Sequence, residues 1–131
     1  MAPPPNRLAR ALAASGLQAE LLDDDTLIRR SASAIHSGRI LGWFQGRMEF
    51  GPRALGNRSM LARPTEGKIN DWLNQRLDRS EFMPFAPSVL AEHADEIFAG
   101  VAKARHAAEF MTITFDVLPA WRERIPAVVH V

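Results

Sequence analysis

A mixed α and β fold, a twisted mixed sheet with flanking helices, is what this sequence predicts. Three observations carry it. Apolar residues recur at helical spacing over residues 4–17, 24–37 and 66–77. In "FMTITFDVL", Met111, Ile113, Phe115 and Val117 alternate with Thr112, Thr114 and Asp116, the pattern of a half-buried strand. Glycine and proline punctuate the stretches between, so helices and strands interleave around a sheet of about five strands.

Taken in order, Leu8, Ala11, Leu12 and Ala14 define a first helix behind the N-terminal prolines, with Gly16 as its stop. Asp24 or Asp25 caps a second, carrying Leu27, Ile28, Ala32 and Ile35 and ended by Gly38. "RILGWFQG" reads as a buried strand over 39–45. The stretch 46–59 is a loop, because Gly51-Pro52 breaks regular structure, and "SMLAR" is a brief strand after it. Thr65 caps a helix over 66–77 with Ile69, Leu73 and Leu77 on one face. "FMPFAPSVL" is extended and lies at an edge or leads into a strand, because it holds two prolines. "EHADEIF" is a short helix stopped by Gly100, "AWRERI" a turn of helix, and "AVVHV" a closing strand. Trp43, Phe44, Trp72 and Leu73 are assigned to the core.

Composition narrows the function. The chain has 131 residues, 47% hydrophobic and 24% charged, enough for one domain with a core. No apolar run is long enough to cross a bilayer and the first residues lack a secretory apolar region, so a cytoplasmic location is expected. The absence of cysteine excludes disulfides and thiolate metal sites. His36, His93 and His106 show no spacing that sets two on one helix face with a carboxylate, so no metal site is assigned. A net charge of +1 argues against general nucleic-acid binding.

The stretch "GRMEFGPRALGNRS" is the candidate site. Gly51 and Gly56 permit turns whose amides cradle an anion. Arg47, Arg53 and Arg58 offer bidentate forks for phosphate, and Glu49 either orients a guanidinium or grips a ribose. The alternative is a solvated loop whose charges pair on the surface. The pattern is not a P-loop, since Asn57 and Arg58 stand where lysine and a hydroxyl residue belong. Nor does its glycine spacing fit the dinucleotide fingerprint.

Three stretches in order, "GRMEFGPRALGNRS", "INDWLNQRLDRSEFMPFAPSVL" and "IPAVVHV", resemble the C-terminal region of bacterial O-carbamoyltransferases, which modify antibiotics and nodulation oligosaccharides. The resemblance covers residues 37–131, with 1–36 a helical lead-in to the same domain. It implies part of a YrdC-like domain that turns ATP, with Mg2+, and carbamoyl phosphate into carbamoyladenylate and pyrophosphate. It also implies an N-terminal actin-like domain as partner, which holds a metal and carbamoylates the acceptor hydroxyl.

Carried onto this sequence, Arg53, Arg58, Ser88 and His130 are the catalytic candidates. Arg47, Glu49, Gly51, Gly56, Asn57, Ser59 and Lys68 are the substrate and nucleotide candidates. By themselves Ser88 reads as a strand-start serine, Lys68 as a surface lysine and His130 as a core histidine. The sequence shows no N-terminal metal-binding domain, and it stops where the family continues with an Asp-Gly-Thr-Ala-Arg run. It therefore reads as a fragment, inactive alone, whose exposed sheet edges allow a homo-oligomer. The alternatives are a nucleic-acid-binding module of the same general fold and an inert excised piece.

Overall fold

The computed structural model describes residues 5–78 and 85–129. The chain falls into two units, Met1–Ala62 and Arg63–Val131. Among the described residues, no helix is long and apolar enough to cross a membrane. The mixed class holds: helices and an antiparallel sheet share the chain.

In the first unit, α1 is Pro5–Ser15 and α2 is Asp24–His36. The cap of α2 lies one residue earlier than expected. Asp23 adopts extended geometry, and its carboxylate accepts from the Thr26 N–H at 2.8 Å and the Thr26 hydroxyl at 2.7 Å. That satisfies one of the amides a helix start leaves open. Asp24 and Asp25 fall instead in the first turn, where negative charge favours the helix dipole. The hairpin follows, β1 Leu41–Phe44 and β2 Arg58–Leu61, antiparallel with Leu41 opposite Leu61 and Phe44 opposite Arg58.

The strand over 39–45 was expected to be buried; instead Gly42 and Phe44 face outward, and Phe44 is 75% exposed. The reason is that a two-stranded ribbon covers only one of its faces. Period-two alternation then puts Trp43 on the half-buried side and Phe44 on the open one.

The second unit holds α3 (Ile69–Arg76), α4 (Ala94–Ile97), α5 (Arg105–Glu109) and α6 (Pro119–Arg122), with turns of 3-10 helix before α4 at Ala91–His93, before α5 at Val101–Ala104 and after α6 at Pro126–Val128. Leu73, Ile97, Val101, Val117 and Ala127 form its core. Helix α3 starts at Ile69 with Lys68 at its cap position and no side-chain capping bond, so Thr65 is not the cap. Glu66 instead pairs with Arg63, and the chain turns over 66–69 through the Ile69 N–H to the Glu66 carbonyl. Leu73 is core as expected, whereas Trp72, also expected there, is 52% exposed, since one residue's step turns it about 100° around the helix.

The sheet is smaller than expected. Among the described residues it has two strands, with one isolated bridge between Phe98 and Val117. "FMTITFDVL" is not a strand. Met111 takes a left-handed φ of 52°, and Thr112 turns back so that both its N–H and its hydroxyl donate to the Ala107 carbonyl. Its start is thus the C-terminal cap of α5, and only its last residues pair, through Ala99 N–H to Asp116 and Leu118 N–H to Ile97. Residues 85–90 lead into a 3-10 turn rather than a strand. In "AVVHV", Ala127 and Val128 belong to a 3-10 turn held by Ala127 N–H to the Pro64 carbonyl, and His130 and Val131 lie outside the described residues.

Candidate functional site

The hairpin loop, 45–57, gathers most of the residues singled out by the sequence. Its neck is fastened by Arg58. That guanidinium donates to the carbonyls of Gln45 and Asn57, both at 2.8 Å, and of Gly46 at 3.2 Å. It also lies 3.3 Å from the centre of the Phe44 ring, its cross-strand partner. Gln45 adds a second tie: its backbone N–H donates to the Asn57 carbonyl at 3.0 Å, and its side-chain amide reaches Asn57 Oδ1 at 3.2 Å. The Ser59 hydroxyl accepts from the Gly56 N–H at 3.1 Å.

The middle of the loop is closed by Glu49. One oxygen, Oε1, accepts from the backbone N–H groups of Leu55 at 2.8 Å, Asn57 at 2.5 Å and, more weakly, Arg58 at 3.4 Å. The Asn57 N–H is the main reason that the carboxyl is held down at about 2, with Glu49's own amide and those of Leu55 and Arg58 adding to it. Among the described residues Glu49 therefore meets backbone amides rather than a guanidinium. Gly51 and Gly56 have φ of 128° and 110°, and a Cβ at either would meet nothing within 4 Å. Backbone conformation, not crowding, calls for glycine there.

Arg47 and Arg53 project from this fastened loop, exposed, with no hydrogen bond or ion pair among the described residues. Phe50 and Met48 are exposed beside them. The loop can thus offer an anion two unopposed guanidinium forks on a backbone already folded.

The remaining candidates lie elsewhere. Lys68 is exposed at the start of α3, and Ser88 is exposed in the second unit. Ser88 lines a pocket of about 410 Å³ whose wall is otherwise mainly apolar, including Leu90, Ile97 and Trp121. His93 and Glu96 line it too, 3.1 Å apart, and the hydrogen bond to Glu96 raises the imidazole above its ordinary value. Sequence reading passed over this pair, although a spacing of three on a helical turn was its signal. It also passed over Gln45, and over Asn70 and Asn74, two asparagines on the buried face of α3.

The sequence pattern described as carbamoyltransferase C-terminus matches residues 32–131. Nodulation protein NolNO of Sinorhizobium fredii is 42% identical over 121 residues, which are 92% of this chain and 18% of that protein. An uncharacterized protein of Methanocaldococcus jannaschii is 40% identical over 102 residues, 77% of this chain and 16% of its own length. Nodulation protein U of Rhizobium tropici is 37% identical over 99 residues, 76% of this chain and 16% of that one. This chain thus spans less than a fifth of the length of these relatives.

Proposed function

This chain belongs to the carbamoyltransferase C-terminus family, and we propose that it serves a carbamoyltransferase as part of the region that binds ATP and carbamoyl phosphate. In this reading carbamoyladenylate forms there, pyrophosphate leaves, and the carbamoyl group goes on to a hydroxyl of a small molecule or oligosaccharide. The acceptor step and any resident metal belong to an actin-like partner domain. The nucleotide brings Mg2+ with its phosphates, and the need for ATP implies a cytoplasmic location.

The observation that carries the proposal is the fastened loop with Arg47 and Arg53 on its surface, without a partner among the described residues. ATP and carbamoyl phosphate repel each other, so joining them requires positive charge fixed in place beforehand. Arg53 and Arg47 are the ligand-facing groups in this reading. Arg58, with three of its five N–H donors given to backbone carbonyls, sets the loop's shape, and Gly51 and Gly56 supply the turns.

The test is direct binding. Carbamoyl phosphate and ATP are titrated calorimetrically into the 131-residue chain and its variants. Arg53→Lys keeps the charge and loses the fork, so affinity for carbamoyl phosphate should fall about tenfold or more, the worth of a charge-assisted contact. Arg10→Ala, on α1, controls for lost charge and should change nothing. If Arg53→Lys binds within about threefold of the parent, the fork is not a ligand contact.

A further inference from the structure

The carboxylate of Glu49 occupies the place where such a loop would hold a ligand oxygen. Three backbone N–H groups, those of Leu55, Asn57 and Arg58, converge on Oε1, and Glu49's own amide adds to the hold on the carboxylate. Converging amides of this kind are an anion site, and here the chain fills it with its own side chain. Three features make that occupancy exchangeable. Glu49 is only half-buried, so leaving the amides returns it to water without stranding a buried charge. No backbone–backbone hydrogen bond joins residues 46–56 to one another, so the middle of the loop rests on this one contact. A single carboxylate charge also leaves Arg47 and Arg53 unopposed.

We propose that the amides of Leu55, Asn57 and Arg58 form a binding site for a tetrahedral phosphate oxyanion, which displaces the Glu49 carboxylate when it binds. A phosphate presents several oxygens, so the donors now crowded on one atom would be shared among them. Its remaining oxygens would be left for Arg47 and Arg53. The displaced carboxylate stays ionised at neutral pH, so the exchange moves no proton. The idea rests on the reading above that this loop receives phosphate.

Inorganic pyrophosphate, titrated into the isotope-labelled 131-residue chain at pH 7 and followed by NMR, tests it. The Leu55 and Asn57 amide signals and the Glu49 side-chain carboxyl carbon should move along one saturation curve. Amides that shift while the carboxyl carbon stays put overturn the exchange, and that measurement needs no variant. Glu49→Gln removes the competing charge and should bind pyrophosphate about fivefold more tightly, the worth of one like charge at contact distance in water. Unchanged or weaker binding by Glu49→Gln, with the parent still binding, makes Glu49 a permanent brace and leaves the phosphate reading intact. If neither chain binds pyrophosphate at millimolar concentration, both readings fall.

Discussion

Replacing Arg58 by alanine should open the hairpin without touching the outward-facing charges. The side chain donates to three carbonyls, at 2.8, 2.8 and 3.2 Å, and stacks 3.3 Å from the Phe44 ring centre. Arg58 is half-buried and Phe44 is 75% exposed, so each contact is taken at the low end of its range. Three bonds at about 0.5 kcal/mol each give about 1.5 kcal/mol. A cation over an exposed ring adds about 0.5 kcal/mol. The total of about 2 kcal/mol corresponds to roughly a thirtyfold rise in hairpin opening. Arg58→Lys keeps one donor and the charge but loses the fork, so about a fivefold rise is expected. Native-state amide exchange reads this, with the Gln45 N–H, which donates to Asn57 across the neck at 3.0 Å, as reporter. Arg53→Ala should leave the same rate within about twofold, because Arg53 has no hydrogen-bond or ion-pair partner among the described residues. If the Gln45 amide of Arg58→Ala exchanges within about threefold of the parent rate, Arg58 does not fasten the loop, and the division between fastening and ligand-facing arginines fails.

Two further outcomes follow from other contacts. Glu49 has its carboxyl lowered from 4.5 to about 2 in the folded chain, so the order it gives the loop is complete above about 4.5 and lost as pH falls through about 2. The Leu55 and Asn57 amide shifts should therefore titrate with a midpoint near 2, and a midpoint near 4.5 would show that the carboxylate is not held by those amides. Asn70 is 7% exposed and donates through Nδ2 to the carbonyl of Ala127, itself 2% exposed, at 2.6 Å. Asn70→Ala leaves that carbonyl buried without its donor and should cost about 1–3 kcal/mol, read as a lower urea midpoint; an unchanged midpoint refutes the assignment.

The helices were legible where local chemistry determines them. The apolar spacing found α1, α2 and α3, and the acidic turn before α2 marked its start to within a residue. The loop was legible too, because Gly51-Pro52 breaks regular structure between the two strands. What the sequence did not disclose is which partner each charge takes. Arg47, Arg53 and Arg58 are alike on paper, yet only Arg58 sits in a strand directly opposite an aromatic ring and beside the carbonyls of the neck. That difference comes from strand register, which depends on the whole hairpin. The failure of "FMTITFDVL" has a similar cause. Alternation makes a segment fit to be half-buried, but a strand also needs a neighbour along its length. Here Thr112 closes a helix end instead, and pairing begins only at Asp116.

In the phosphate-binding reading proposed above, fastening is what gives the loop its chemical value. A glycine-rich segment left to itself would have to be ordered by its ligand, and each ordered residue costs about 1–2 kcal/mol of conformational entropy. A charge carried on such a segment would be attracted to phosphate but positioned only after binding, which forfeits much of the benefit of fixed charge. In this hairpin two charged side chains are turned inward. Arg58 takes the carbonyls at the neck, and Glu49 takes the amides in the middle, so donors and acceptors that a short loop cannot pair within its own backbone are both satisfied. The inward pair is opposite in sign, so it adds no net charge to the loop. Arg47 and Arg53 are then the whole of its outward charge, and they stand on a backbone whose shape was settled before any anion arrives.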